Sequence, residues 1–159
     1  MDNFIIKPAP KFQEDSTLGL IKLDDYLHKK NIVLFFYPKD NTPGCTKENL
    51  EFKDLYQEFL LRNTEVLGVS RDSIRSHENF KSKFSLPFPL ISDQNQNICS
   101  LYNVVKKKNI YGKSVYGIER STFLINLEGN IVMEWRKVKV NNHVMQVLDF
   151  LDKTLINNT

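Results

Sequence analysis

The stretch NIVLFFY, residues 31–37, runs from Ile32 onward without a single charged or small polar side chain. A continuous β-branched and aromatic run is the pattern of a strand covered on both faces. It commits the chain to a sheet with material packed above and below, since consecutive strand side chains point to opposite sides. TEVLGVS (64–70) and STFLINL (121–127) read the same way. Glu128-Gly129-Asn130 then supplies a turn into IVMEW (131–135), so the last two strands are expected to form a hairpin.

Helical periodicity fills the intervals. Phe52, Leu55, Tyr56, Phe59 and Leu60 fall on one stripe between the first two strands. Ile74, His77, Phe80 and Phe84 mark a second helix, and Ile98, Leu101 and Tyr102 a shorter one. A last helix starts at about Asn142 and carries Val144, Val147, Leu148, Leu151 and Leu155 on one face. Strands alternating with helices, then a hairpin and a final helix, predict an α/β fold with a central mixed sheet flanked by helices on both faces. At 159 residues the chain suits one core and is short for two, so residues 1–159 are read as a single domain. Residues 104–120, VVKKKNIYGKSVYGIER, are expected to be a long irregular segment, with Lys106, Lys107 and Lys108 in a solvated loop. The closing INNT reads as a frayed end.

Charge and composition exclude several classes. The net charge is only +3 and the basic residues are dispersed among acidic ones, which argues against a nucleic-acid partner. The 31–37 run is far too short to cross a bilayer, and Met1-Asp2-Asn3 shows no basic and apolar leader, so a cytoplasmic protein without a membrane partner is expected. Two cysteines do not make a disulfide scaffold. They and the three scattered histidines show no metal-ligand spacing, so no metal or other cofactor is expected.

Cys45 stands where the first strand gives way to the first helix, in YPKDNTPGCTKENLEF (37–52). Pro38 and Pro43 stiffen the loop by fixing φ, and Gly44 lets the backbone come close to whatever binds. Cys45 then falls in the first helical turn, where backbone N–H groups lack intrahelical partners. Those groups and the helix dipole favour a thiolate by roughly 0.3–2 kcal/mol, too little for a fast nucleophile without a cation close by. Arg120, immediately before the buried 121–127 strand, is the candidate cation, since such an arginine is costly to bury unless it faces an anion. Cys45, Thr42 and Arg120 thus form a candidate anion-organising site.

Pro38-x-x-x-Thr42-x-x-Cys45 resembles the active-site motif of the peroxiredoxins. FFYPKDNTPGCTKENLEF, VLGVSRDSIRSHENF, LPFPLISD, GIERSTFLI and KVKVNNHVMQVLDFL resemble the Q-type, or bacterioferritin comigratory protein, subfamily across nearly the whole chain. The resemblance implies a thioredoxin-like fold and reduction of hydrogen peroxide and organic hydroperoxides through a sulfenic acid at Cys45. It implies catalytic roles for Cys45, Thr42, Arg120 and Pro38. The Thr42 hydroxyl, the Arg120 guanidinium and the Gly44 and Cys45 amides are the donors expected to meet the peroxide oxygens. Thioredoxin, or glutaredoxin with glutathione, is the expected reductant, and the chain is expected to act as a monomer or weak dimer. Many members of the subfamily carry a resolving cysteine five residues after the peroxidatic one; here that position is Leu50, on the side of the helix away from Phe52. Cys99, next to Ile98 in the short helix, is expected to be structural, with a resolving role as the alternative.

Other readings compete for the same residues. A cysteine hydrolase requires a histidine beside Cys45. His28 reads as surface, His77 as hydrogen-bonded and half-buried on its stripe, and His143 as structural at the start of the last helix. A redox-sensing or interaction module without turnover is the non-enzymatic alternative. Glu48, three residues after Cys45, reads as an ordinary first-turn acid.

Overall fold

The structure, a computed structural model, describes residues 4–156. Asn157 to Thr159, most of the expected frayed end, and the side chain of Leu155 lie outside the described residues. The run at 31–37 forms β4 (Asn31–Phe36), buried along its whole length. It is followed by α1 (Pro43–Leu61), β5 (Thr64–Ser70), α2 (Ile74–Phe84) and β6 (Leu90–Ser92). α3 (Asn97–Leu101), β9 (Ser121–Ile125), β10 (Asn130–Trp135) and α4 (His143–Leu151) complete the elements that surround the site.

β4, β5 and β6 are parallel neighbours, and β9 runs antiparallel on the other side of β4. Two successive crossovers of one hand in one direction place their helices on the same face. The packing shows this. Val33, Phe35 and Tyr37 share a core with Phe52 and Phe59 of α1, Phe80 of α2 and Val144, Val147 and Leu151 of α4. Ile32, Leu34 and Phe36 point the other way and pack with Ile98, Cys99 and Tyr102 around α3. Phe35 and Phe52 stack at 4.4 Å between centroids, joining β4 to α1 just below the loop that links them.

Besides the short β6, strands at both sheet edges lie outside the runs read from sequence. β1 (Phe4–Pro8) joins β10 at one edge, and β2 (Gln13–Ser16) with β3 (Gly19–Lys22) extends the other edge beyond β6. The eight-stranded order is β1-β10-β9-β4-β5-β6-β2-β3. The expectation for residues 104–120 is corrected: β7 (Val105–Ile110) and β8 (Lys113–Ile118) form a separate two-stranded hairpin. Both of its faces are largely wet, so it carries no alternation of apolar and polar residues. The legible signal was Tyr111-Gly112, whose φ values of 51° and 78° suit a tight hairpin turn. Among the described residues no helix is long and apolar enough to cross a membrane.

Candidate active site

The site is built by sheet register. Phe36 of β4 pairs with Ser121 of β9, so the residue before Ser121 lies beside the residue after Phe36. That places Arg120 at the mouth of the β4–α1 loop, although it is 75 residues from Cys45. Pro43 opens α1 and leaves Thr42 in extended backbone at φ −95°. Cys45 follows in the first turn, 1% exposed.

Arg120 holds two groups at once. Its Nη2 donates to Cys45 Sγ at 3.4 Å, and its Nη1 donates to Glu48 Oε1 at 2.7 Å. Cys45 and Glu48 are one helical turn apart, so both face the guanidinium. Gly44 has a specific reason: a Cβ there would stand 3.2 Å from Arg120 Nη2. The group that this glycine lets approach the backbone is the arginine. Burial works against the Arg120 charge, and Glu48 and Cys45 more than offset it, so its pKa rises from its ordinary value. Glu48 is fully buried, and burial pushes its carboxyl up to about 7 against the opposing pull of Arg120. Its Oε2 has no hydrogen-bond partner. Sequence reading missed this residue as part of the site.

Thr42 sits at the helix entrance, but its side chain does not cap the helix. Its hydroxyl donates to the Lys39 carbonyl at 2.8 Å, while its own carbonyl accepts from the Thr46 amide at 2.8 Å. The hydroxyl proton is therefore engaged, and what the oxygen can still offer a ligand is a lone pair. Pro38 is half-buried and shares the wall of a cleft with Arg120.

A second network, also missed, pins the loop. Tyr37 donates to Asp40 Oδ1 at 2.6 Å, the Asp40 amide donates to Asp72 at 2.9 Å, and Ser76 donates to Asp40 Oδ2 at 2.9 Å. His77 joins Asp40 through Nδ1 at 2.7 Å and the Ile91 carbonyl through Nε2 at 3.0 Å. His77 is 0% exposed rather than half-buried. Asp40, Asp72 and His77 form the one described trio whose ligand atoms lie within 4.8 Å of one another. Those atoms are taken up by hydrogen bonds, and the trio reads as a clamp between the loop and α2. Burial, then Asp40, raises the Tyr37 phenol well above its usual range.

None of the three histidines bonds Cys45. His28 is exposed. His143 is buried beside Thr122, with 2.7 Å between Nε2 and the hydroxyl, and burial with the nearby Arg120 charge lowers its pKa to about 4. The hydrolase reading lacks its base. Cys99 lies on the opposite face of the sheet from Cys45, 0% exposed, and both cysteines are free thiols. Burial, then the carboxylate of Asp93, raises the Cys99 thiol far above its usual range. Leu50 is half-buried on α1.

The AhpC/TSA family matches residues 5–133. Peroxiredoxin Bcp of Xanthomonas campestris is 54% identical over 117 residues, covering 74% of this chain and 73% of the relative. A putative peroxiredoxin bcp of Coxiella burnetii is 48% identical over 141 residues, covering 88% and 93%. Among solved structures, the Xanthomonas campestris bacterioferritin comigratory protein superposes with a TM-score of 0.88 at 42% identity, covering 96% of this chain and 98% of that one. That protein was solved in trapped intermediate and ligand complexes bearing on its alkyl peroxide reduction.

Proposed function

The chain belongs to the AhpC/TSA family and is a thiol-dependent peroxidase of the peroxiredoxin kind with a thioredoxin-like fold; we propose that Cys45 is its peroxidatic sulfur, served by Arg120, Thr42, Pro38 and the first-turn amides of α1. The observation that carries this is the single guanidinium shared by Cys45 Sγ and Glu48. A direct N–H···S contact holds the sulfur beside a fixed positive charge, and the thiolate is the form that attacks. The sulfur takes one peroxide oxygen, the O–O bond breaks, and water or an alcohol leaves, so Cys45 becomes a sulfenic acid. Negative charge moves from sulfur to the leaving oxygen, where Arg120 and the Gly44 and Cys45 amides meet it. Thr42 accepts the peroxide O–H, because its own proton is held by Lys39. Glu48 positions Arg120, and Pro38 walls the approach.

The reductant is an external thiol, since the second cysteine sits across the sheet; thioredoxin, or glutaredoxin with glutathione, fits that need. A cytoplasmic setting and a monomer or weak dimer complete the reading. The test is peroxide consumption with dithiothreitol as reductant. Cys45→Ser is expected to fall to the uncatalysed background while keeping the parent's circular dichroism. Turnover at the parent rate in that variant would remove Cys45 from the reaction.

A further inference from the structure

A cleft of about 400 Å³ lies between the catalytic loop and the β7–β8 hairpin, a volume usual for small-molecule sites. Arg120, which touches Cys45 Sγ, also lines this cleft, together with Pro38. Ile118 and Val138 add apolar wall, and Lys106, Lys108 and Lys137 add charge. Pairing of Lys106 with Gly117 and of Lys108 with Val115 puts both lysines on the same hairpin face. Lys108 extends back along that face, with its ammonium near Gly117.

None of these three lysines pairs with a carboxylate among the described residues. Glu119 is the one acid in the cleft wall, and its carboxylate faces Arg136 at 3.9 Å. The cleft thus presents three unneutralised ammonium groups beside the guanidinium that touches the reacting sulfur. Hydrogen peroxide is neutral and makes no use of such a field. A thiol that reduces Cys45 does: its sulfur attacks as an anion, and cations both steer it and favour its ionised form.

We propose that this cleft seats the carboxylates of a small anionic thiol, of the glutathione type, that reduces oxidised Cys45. The proposal rests on the reading of Cys45 as the sulfur oxidised by peroxide. The incoming sulfur bonds to Cys45, the S–O bond of the sulfenic acid breaks, and the oxygen leaves as water with the thiol's proton. A second thiol attacks the incoming sulfur of this mixed disulfide, releasing the Cys45 thiolate and the oxidised dimer of the reductant. Two thiols lose two electrons in all, and one sulfenic acid gains them.

The experiment oxidises the protein with one equivalent of hydrogen peroxide and follows loss of the sulfenic acid on mixing with glutathione, its diethyl ester or 2-mercaptoethanol. The parent is expected to prefer glutathione over the ester by about tenfold, the scale of a few partly solvated charge contacts. High salt is expected to erase that preference, as is the triple variant Lys106→Gln, Lys108→Gln, Lys137→Gln. A parent indifferent to esterification, or a triple variant that keeps the preference, overturns the assignment. A parallel arm oxidises both proteins with a carboxylate-bearing hydroperoxide and with tert-butyl hydroperoxide. Charge selectivity confined to that oxidising step would give the cleft to the peroxide and overturn the proposal as well. If hydrogen peroxide yields no dimedone-trappable sulfenic acid at Cys45, the peroxidatic reading fails and the cleft proposal with it.

Discussion

Cys45 and Cys99 are both sealed inside the molecule, 1% and 0% exposed, on opposite faces of one sheet. Burial alone makes either one a small inert hydrophobe. The neighbours separate them. Cys45 lies in the first turn of a 19-residue helix and meets Arg120 at 3.4 Å. Cys99 lies inside a five-residue helix whose amides at Ile98 and Cys99 are already held by Asp93, at 3.1 and 2.7 Å, so its sulfur faces a carboxylate's field. At Cys45 a cation is buried beside the thiol, and that cation finds a second buried acceptor in the Glu48 carboxyl, 2.7 Å from Nη1.

Removal of Arg120 is expected to have the largest effect. Arg120→Met leaves Cys45 as buried as before and without its cation, much as Cys99 is. Loss of one preorganised donor typically costs about 10²–10³ in rate, so the second-order rate of Cys45 oxidation is expected to fall by that factor. Stopped-flow fluorescence with hydrogen peroxide measures it. A loss below threefold would mean that the helix terminus suffices and that Arg120 is not what separates Cys45 from Cys99.

Glu48 makes the stability of this site depend on pH. Its carboxyl is raised from 4.5 to about 7 by burial, so the folded state holds this proton more tightly than the unfolded chain does. The resulting stability is full below pH 4.5 and is lost as the pH rises through about 7. Glu48→Gln keeps an acceptor for Arg120 and cannot ionise. Relative to this variant, the parent is expected to lose on the order of 3 kcal/mol across that window, at 1.36 kcal/mol per pKa unit. Urea unfolding at several pH values gives the two curves. Parallel curves would show Glu48 already ionised throughout.

Part of this arrangement is legible in the sequence, and the physics explains which part. Residues 31–37 and 64–70 announce buried strands because both faces are apolar, and the Cys45 loop carries its prolines, glycine and threonine in one short stretch. Arg120 is legible through the buried strand that it precedes and through the motif. Glu48 is not, because an acid close to a helix start reads as a solvated partner of the helix dipole, whereas α1 begins at Pro43 and carries Glu48 past its first turn. Only the pairing of Phe36 with Ser121 turns it into the counterion of a buried arginine. The Asp40–His77 clamp draws on the loop, β5, α2 and β6, so no local spacing reveals it. His77 on an otherwise apolar stripe was the one clue. The lysine-rich hairpin escaped because strands wet on both faces lose the alternation by which strands are read.

Thr42 has a smaller expected effect. Its proton is committed to Lys39, so Thr42→Val removes an acceptor for the peroxide and a tie within the loop, while Thr42→Ser keeps both. One neutral hydrogen bond is worth about 0.5–1.5 kcal/mol, so turnover in the valine variant is expected to fall roughly 3- to 10-fold. The serine variant is expected to stay near the parent. A loss in the serine variant with the valine variant spared would point to the methyl group, and hence to packing rather than the hydroxyl.

The smallest effect is expected at Cys99, and it decides whether the two cysteines ever meet. A disulfide needs Cα atoms within about 7 Å, and a sheet with a core on each face stands between these two. Bridging therefore requires the first turn of α1 and the whole of α3 to leave their cores, exposing Ile98 and Tyr102 as well as Cys99 itself. An external thiol requires a smaller opening, one that uncovers the buried Cys45 sulfur beside Arg120 and leaves α3 in place. Cys99→Ala is accordingly expected to leave turnover with a small thiol unchanged and to lower stability by about 1 kcal/mol, the value of one buried methylene-sized group. Intact mass after one equivalent of peroxide, under non-reducing conditions, separates the routes. Gain of one oxygen, trapped by dimedone at Cys45, is the expected product. Loss of two hydrogens, with a peptide joining Cys45 to Cys99, would show that the sheet does not keep them apart and that Cys99 resolves the sulfenic acid within the chain.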